Sequence, residues 1–169
     1  MNILLSNDDG YKSPGLKVLK NVLEEYGKVT TAAPHRDISA SSSCLSVHKP
    51  VQIKKISKSF YKIYGTPADC VHIASRGIMK KLPDIVFSGV NIGSNMGDDV
   101  VYSGTVGAAI EGSFRGVLSI AISQCYNSTT MGKKSIYDFA RKHAPDICLK
   151  LYHSFFDSFF YFFFMSSSI

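Results

Sequence analysis

The chain begins with MNILLSNDDG (residues 1–10), in which the apolar run Ile3-Leu4-Leu5 leads to two adjacent carboxylates, Asp8 and Asp9. A short apolar run of this kind predicts a buried strand over residues 2–6. Ligands of open α/β sheets bind just beyond the carboxyl ends of parallel strands, and the two carboxylates fall at such an end. Because neighbouring carboxylates repel each other and are costly to bury, the pattern indicates a divalent cation between them. The alternative is a solvated loop in which one Asp caps the following helix.

Strand and helix patterns alternate along the rest of the chain, separated by proline and glycine signals. Strands are predicted over 29–33, 85–87 and 118–123, helices over 14–26, 67–80, 106–114 and 135–150, and hairpin or edge strands within 44–64. This alternation favours an α/β fold with a mainly parallel sheet and helices on both of its faces.

The composition indicates a single globular domain of 169 residues with a net charge of +6. The excess of positive charge suits an anionic partner, such as a phosphorylated metabolite or a nucleic acid. None of the lysine clusters is a long run interleaved with aromatic residues, and such short clusters are typical of solvated faces. We therefore expect no stable complex with nucleic acid.

Four dispersed cysteines, without any C-x-x-C pair, do not fit a zinc site or thioredoxin-like chemistry. The first residues enter a strand at once and carry no secretory signal pattern. The expectation is a cytoplasmic protein with reduced thiols.

Two later loops add further oxygen ligands. Residues 35–43 follow the second predicted strand and include Ser39, and the loop 88–99 has a glycine at every fourth position and includes Asn91. In a parallel sheet these loops open on the same edge as the first one. Two carboxylates, a hydroxyl and an amide oxygen form a hard ligand set, which favours Mg²⁺, Mn²⁺ or Ca²⁺ over zinc. The glycine spacing matches neither a dinucleotide fingerprint nor a P-loop, and a loop without a site is the alternative.

The tripeptide Ser103-Gly104-Thr105 directly precedes the predicted helix 106–114. Small hydroxyl residues and free amides at a helix N-terminus form an anion site, because the unpaired N–H groups and the helix dipole both favour negative charge. Plain helix capping by Ser103 or Thr105 is the commoner use, and the two uses are compatible.

Three motifs together resemble the survival protein SurE family of metal-dependent nucleoside-monophosphate phosphatases: NDDG at 7–10, GTPADCV at 65–71 and SGVNIGSNMGDDVVYSGTVGAAIEG at 88–112. The resemblance covers about residues 1–125. It implies a Rossmann-like three-layer α/β domain with a C-terminal extension used in dimer and tetramer assembly. It also implies the site residues, with Asp8, Asp9, Ser39 and Asn91 as metal ligands and Asn95, Ser103, Gly104 and Thr105 as phosphate contacts.

The sequence departs from the family pattern in two places. Ala40 follows Ser39 where the family usually has glycine, so the local turn is expected to differ. From residue 151 the chain becomes rich in Phe and Ser, and we interpret 1–150 as the domain and 151–169 as the aberrant end of a truncated chain. A membrane anchor is the alternative, but the apolar stretch is interrupted by polar residues and is shorter than the ~20 residues that a span needs. Without the extension, a family-like homo-oligomer is in doubt.

The resemblance implies hydrolysis of nucleoside 5′-monophosphates, and of 3′-monophosphates as a further possibility, with one divalent ion, Mg²⁺ or Mn²⁺. Asp8 or Asp9 is the catalytic carboxylate, either as a nucleophile or as a base that acts on a water molecule. The alternative function is a remnant that binds nucleotide or phosphate without turnover. The preferred base and the native metal are left open.

Overall fold

The computed structural model describes residues 1–126, 134–154 and 162–166. Seven strands form one sheet in the order β3-β4-β2-β1-β5-β6-β7, and every pairing is parallel except that of β3 with β4. The strands are β1 (Asn2–Ser6), β2 (Lys28–Pro34), β3 (Ile53–Ser57), β4 (Phe60–Ile63), β5 (Ile85–Ile92), β6 (Leu118–Gln124) and β7 (Phe162–Ser166). The helices are α1 (Pro14–Leu23), α2 (Pro67–Ile73), α3 (Asp99–Tyr102), α4 (Gly104–Ser113) and α5 (Asp138–Ser154). The predicted α/β fold with a mainly parallel sheet is confirmed.

The sheet separates two apolar layers because side chains alternate between the faces of a strand. On one face Ile3 and Leu5 pack in the cluster that includes Leu16 of α1 and Ala140 of α5. On the other face Leu4 packs in the cluster that includes residues of α2 and α4. Helices thus cover both faces, and the amide and carbonyl groups of the central strands are satisfied within the sheet.

The first two helices, α1 and α2, begin where local signals in the sequence predict them. Ser13 caps α1 by accepting a hydrogen bond from the N–H of Leu16 at 3.2 Å. Thr66 and Asp69 form a reciprocal capping box at the start of α2. The predicted end of α2 at residue 80 is wrong, because regular helix stops at Ile73 and a π-helical turn occupies Ala74–Ile78.

The segment between β5 and α4 differs from its prediction. β5 continues to Ile92 instead of ending at residue 87, because it stays paired with β6 beyond a register shift at Gly89 and Asn91. The loop 88–99 is therefore part strand, and it is followed by the short helix α3, which was not predicted. α4 begins at Gly104, two residues earlier than predicted, because Ser103 is its N-cap.

The last helix, α5, runs to Ser154 and so passes the predicted boundary at residue 150. β7 pairs in parallel with β6, from Ile120 with Phe162 to Gln124 with Ser166. Residues 155–161 and 167–169 of the predicted tail lie outside the described part of the chain, and the division at residue 150 stays a prediction. Within the described residues, no helix has the length and apolar character to cross a membrane.

Candidate active site

Asp8 lies just beyond the carboxyl end of β1 and is 3% exposed. Its carboxylate accepts two hydrogen bonds from Thr105 in the first turn of α4, from the N–H at 3.0 Å and from the hydroxyl at 2.5 Å. The positive end of the α4 dipole therefore lies against a buried carboxylate. Burial raises the pKa of Asp8, while the two bonds from Thr105 act in the opposite direction.

Asp9 is partly buried, and its Oδ2 atom is shielded from solvent without any hydrogen-bond partner. Burial, followed by the negative charges of Asp8 and Asp37, raises the pKa of Asp9 to about 7. Ionising both carboxylates at neutral pH is therefore unfavourable unless a positive charge compensates them. A bound cation would offset this charge, which makes the pair a candidate place for one.

Asn7 fixes the loop that carries the two carboxylates. Its Nδ2 donates to the carbonyl of Gly10 at 3.0 Å and to Oγ of Ser13 at 2.8 Å. Its Oδ1 is buried without a partner. Gly10 has φ +94°, and a Cβ there would lie 2.7 Å from the carbonyl carbon of Arg36, so only glycine fits this close approach of the first loop to the second.

The second loop reaches Asp8 through its backbone. The N–H of Ile38 donates to the carbonyl of Asp8 at 2.9 Å. The hydroxyl of Ser39, the next residue, donates to Oδ1 of Asp37 at 2.6 Å, and its N–H donates to the same atom at 2.9 Å. Ser39 is thus in the neighbourhood of the carboxylates, with its hydroxyl held by Asp37.

Ala40 has φ +58°, in the left-handed region that glycine adopts without cost. This backbone conformation explains why glycine suits position 40 and why the alanine found there matters. An alanine there carries a conformational cost of roughly 1 kcal/mol. The turn that carries Ser39 therefore forms, but Ala40 lowers the stability of the folded state there.

The end of β5 and the loop after it contribute Asn91 and Asn95. Asn91 follows Gly89 on β5, the strand beside β1, and its Nδ2 donates to the carbonyl of Gly93 at 3.0 Å. Its side chain therefore directs its amide hydrogens to the protein. Asn95 is buried and donates from Nδ2 to Oγ of Ser123 on β6 at 2.6 Å.

Ser103 and Gly104 form the start of α4. The hydroxyl of Ser103 accepts a hydrogen bond from the N–H of Val106 at 3.2 Å, which is an N-cap. A Cβ on Gly104 would lie 2.9 Å from Cβ of Asp8 and 2.7 Å from Oγ of Ser41. Glycine at 104 therefore lets the helix approach the carboxylate closely enough for the bonds from Thr105.

The predicted residues meet at one edge of the sheet, but they are not all free to bind a ligand. Thr105 donates both its N–H and its hydroxyl to Asp8, so a phosphate contact by these groups requires a change of partner. Asn95 donates one N–H of Nδ2 to Ser123 and retains a second N–H. Among the described residues, no group of three or more His, Cys, Asp or Glu side chains is placed to hold a metal. The predicted ligand set has two carboxylates and two neutral oxygen donors.

The sequence prediction missed three residues of this edge: Asn7, Asp37 and Ser123. Asn7 stands beside the carboxylates in the NDDG motif, and Asp37 precedes Ser39 by two residues, a spacing typical of a local Asx turn. These two had local signals. Ser123 had none, because its role depends on the pairing of β6 with β5.

Comparison with known proteins agrees with this architecture. A protein named 5′-nucleotidase SurE from Nitrosomonas europaea is 54% identical over 123 residues, which cover 73% of this chain and 50% of that protein. A protein of the same name from Legionella pneumophila is 49% identical over 123 residues, again 73% of this chain and 49% of the relative. The chain spans about half the length of these curated relatives.

The crystal structure of the SurE protein from Aquifex aeolicus is similar, with a TM-score of 0.90 and 37% sequence identity, over 100% of this chain and 67% of that one. The family model described as survival protein SurE matches residues 3–161. With the match extending over most of its length and the same fold, this chain belongs to the survival protein SurE family.

Proposed function

We propose that this chain is a metal-dependent phosphomonoesterase that hydrolyses nucleoside 5′-monophosphates to nucleoside and phosphate, with 3′-monophosphates as a further candidate substrate. The observation that carries the proposal is the Asp8–Asp9 pair, in which a buried, unpartnered Oδ2 of Asp9 lies next to a carboxylate held by the N-terminus of α4. The names of the relatives, 5′-nucleotidase SurE, support the same class of reaction.

A divalent cation fits these residues. The raised pKa values of Asp8 and Asp9 reflect buried negative charge that a cation would offset, and the orphaned Oδ2 of Asp9 is an acceptor without a donor. Asp8, Asp9, Ser39 and Asn91 would hold the ion, an all-oxygen set that suits Mg²⁺ or Mn²⁺. When bound, such an ion neutralises charge on the phosphoryl oxygens and acidifies water.

The two carboxylates have different roles in this proposal. Both oxygens of Asp8 accept hydrogen bonds from Thr105, so Asp8 is oriented and its negative charge is stabilised. Asp9 has a buried oxygen without a hydrogen-bond partner, Oδ2, which is the atom that a cation would take. We therefore assign ligation of the cation through Oδ2 to Asp9, while Asp8 is the carboxylate that Thr105 orients.

The other predicted residues bind the phosphoryl group. Ser103, Gly104 and Thr105 lie at the positive end of α4, where a phosphate is stabilised by the helix dipole and by amide groups. Asn95 adds an amide from the neighbouring loop. Because the hydroxyl of Thr105 donates its hydrogen to Asp8, a phosphate contact by that hydroxyl competes with this bond.

The direct test is release of inorganic phosphate from purified protein with nucleoside 5′- and 3′-monophosphates, in Mn²⁺, in Mg²⁺ and in EDTA. We expect release only with a divalent ion, and a loss of at least about 10²-fold in Asp8→Asn and Asp9→Asn. Asp146→Asn is the matched control, because Asp146 is an exposed carboxylate on α5. Activity that persists in EDTA or in Asp8→Asn would contradict the proposal.

The same assay separates catalysis from binding without turnover. Adenosine monophosphate that binds only with Mn²⁺ present, but releases no phosphate, would show the binding remnant instead. Duplex DNA is the polymer control, since one helix N-terminus and one carboxylate pair converge on a single terminal phosphoryl group. Cleavage of DNA at a comparable rate would contradict a monoesterase.

A further inference from the structure

The amino edge of the sheet, opposite the candidate active site, carries a cavity of about 550 Å³. It is formed where Asn2 begins β1, Lys28 begins β2, and the turn at Lys58 and Ser59 precedes β4. β1 is five residues long, so this edge lies roughly 17 Å from the Asp8–Asp9 end. The cavity is thus separate from the site described above.

Four lysines from three different parts of the chain line this cavity: Lys28, Lys58, Lys80 and Lys81. No carboxylate is among its lining residues, and none of the four lysines forms an ion pair within the described part of the chain. The nearby carboxylate of Asp84 accepts a hydrogen bond from the backbone N–H of Asn2 at 2.6 Å. Four exposed lysines therefore line one concave space, and no carboxylate lines it with them.

The dipole of a helix explains the position of only two of these four lysines. Lys80 and Lys81 follow the turn that ends α2, where cations offset the negative end of a helix dipole. Lys28 and Lys58 belong to the strand β2 and to the β3–β4 turn, and no helix end explains them. Like charges gathered from separate elements repel one another, and a bound polyanion removes that repulsion.

The remaining lining residues define the kind of anion. Thr30, Ser59 and Tyr61 bring hydroxyl groups, which donate to phosphate oxygens, and Ile78 and Met79 bring an apolar wall. We propose that this cavity binds the phosphate chain of an oligophosphate, either inorganic tripolyphosphate or the triphosphate of a nucleotide. The proposal does not depend on the function assigned to the opposite edge.

The test is calorimetric titration of the full chain with tripolyphosphate and, separately, with ATP, in EDTA and at low salt. EDTA removes any divalent ion that would recruit the anion to Asp8 and Asp9. The variant with Lys58, Lys80 and Lys81 all changed to Gln should bind tripolyphosphate at least about tenfold more weakly. The control variant, with the same change of net charge, replaces the exposed Lys17, Lys49 and Lys142 by Gln, and it should bind like the wild type.

Equal weakening in both triple variants would show a response to net charge and would overturn the proposal. Three further results would overturn the proposal. The wild type could fail to bind tripolyphosphate, or it could bind tripolyphosphate only when Mn²⁺ is present. It could also bind a single-stranded RNA but not tripolyphosphate. ATP binding more tightly than tripolyphosphate would support a nucleotide as the ligand through the apolar wall. Equal affinities would support the phosphate chain alone.

Discussion

Thr105 connects the N-terminus of α4 to the loop that carries Asp8 and Asp9. It is 97 positions away from Asp8 along the chain, yet it donates to both carboxylate oxygens and is fully buried. Hydrogen bonds to a charged acceptor stabilise a folded protein by about 1.5–3 kcal/mol, more than bonds between neutral groups. The pair therefore contributes to folding and to the orientation of Asp8.

Replacing Thr105 by Val keeps the shape of the side chain and removes the hydroxyl bond to Asp8. We expect a loss of about 1.5–3 kcal/mol in the free energy of unfolding and a fall of at least about tenfold in phosphate release. Urea denaturation and the phosphate assay measure the two effects.

Thr31→Val is the matched control for this variant. Thr31 is also fully buried and on β2, but its hydroxyl has no hydrogen-bond partner, so its removal should leave stability equal or slightly higher. If both variants lost the same free energy of unfolding, the bond between Thr105 and Asp8 would not be a source of stability.

The raised pKa of Asp9 predicts how the stability of the metal-free protein depends on pH. Asp9 has an ordinary pKa of 3.8 in the unfolded chain and about 7 in the folded one, so the folded state binds more protons between these values. Stability contributed by this group is therefore lost as pH rises through that window. In EDTA, the thermal midpoint should be higher at pH 5 than at pH 8.

Asp9→Asn isolates this effect from those of other titrating groups. The variant should show a smaller fall of the midpoint between pH 5 and pH 8 than the wild type. Saturating Mn²⁺ should also reduce the fall in the wild type, because the cation stabilises the ionised pair. A steeper fall in the variant would mean that Asp9 is not the titrating group.

At the scale of elements, α4 packs closely because three of its residues lack side chains. A Cβ on Gly104 would meet Asp8 at 2.9 Å, one on Gly107 would meet the carbonyl of Ser42 at 2.1 Å, and one on Gly112 would meet Ser119 at 2.4 Å. These contacts bring the helix against the end of β1, the loop of residues 35–43 and β6. The close packing places the N-terminus of α4 at the carboxylates.

Gly104→Ala should displace the start of α4 from Asp8. We expect destabilisation of about 1–3 kcal/mol from overpacking and a larger relative loss of phosphate release, because the bonds from Thr105 lengthen. Denaturant midpoints and the phosphate assay report the two losses.

Gly77→Ala is the control for the loss of a glycine as such. Gly77 lies in the helical turn after α2, and a Cβ there would meet nothing within 4 Å. This variant should be unchanged or more stable by about 0.5–1 kcal/mol. Similar losses in Gly104→Ala and Gly77→Ala would argue against close packing at Asp8.

At the scale of the whole molecule, the proposed metal ligands all lie between Asp8 and Asn91. They lie on the loops that follow β1 and β2 and near the carboxyl end of β5. We expect a chain shortened after Ser154 to keep its Mn²⁺ affinity within about twofold, measured by calorimetry. Shortening after Lys150 also removes Tyr152, which packs against the core cluster, and should lower the thermal midpoint further. Loss of Mn²⁺ affinity in both shortened chains would show that residues 155–169 support the site.

The sequence by itself determined the fold class and placed Asp8 and Asp9 of the candidate site at the carboxyl edge of the sheet. Apolar runs of strand length, the caps Ser13 and Thr66, and the positions of glycine and proline are local signals, because each acts over a few residues. The same reasoning located Asp8 and Asp9 at a strand end. The motifs from 7 to 112 identified the family, which the family model confirms.

Only the tertiary structure decided what those residues touch. The bonds of Thr105 to Asp8 and of Asn95 to Ser123 join positions that are 97 and 28 residues apart, and they depend on strand order and helix packing. The length of β5 was also decided this way, since its pairing with β6 overrides the local glycine signals. The lysines at the amino edge look like solvated clusters in sequence, and only the tertiary structure brings them to one cavity. Lys28 and Lys58 lie where β2 and β4 begin, and Lys80 and Lys81 follow the turn that ends α2.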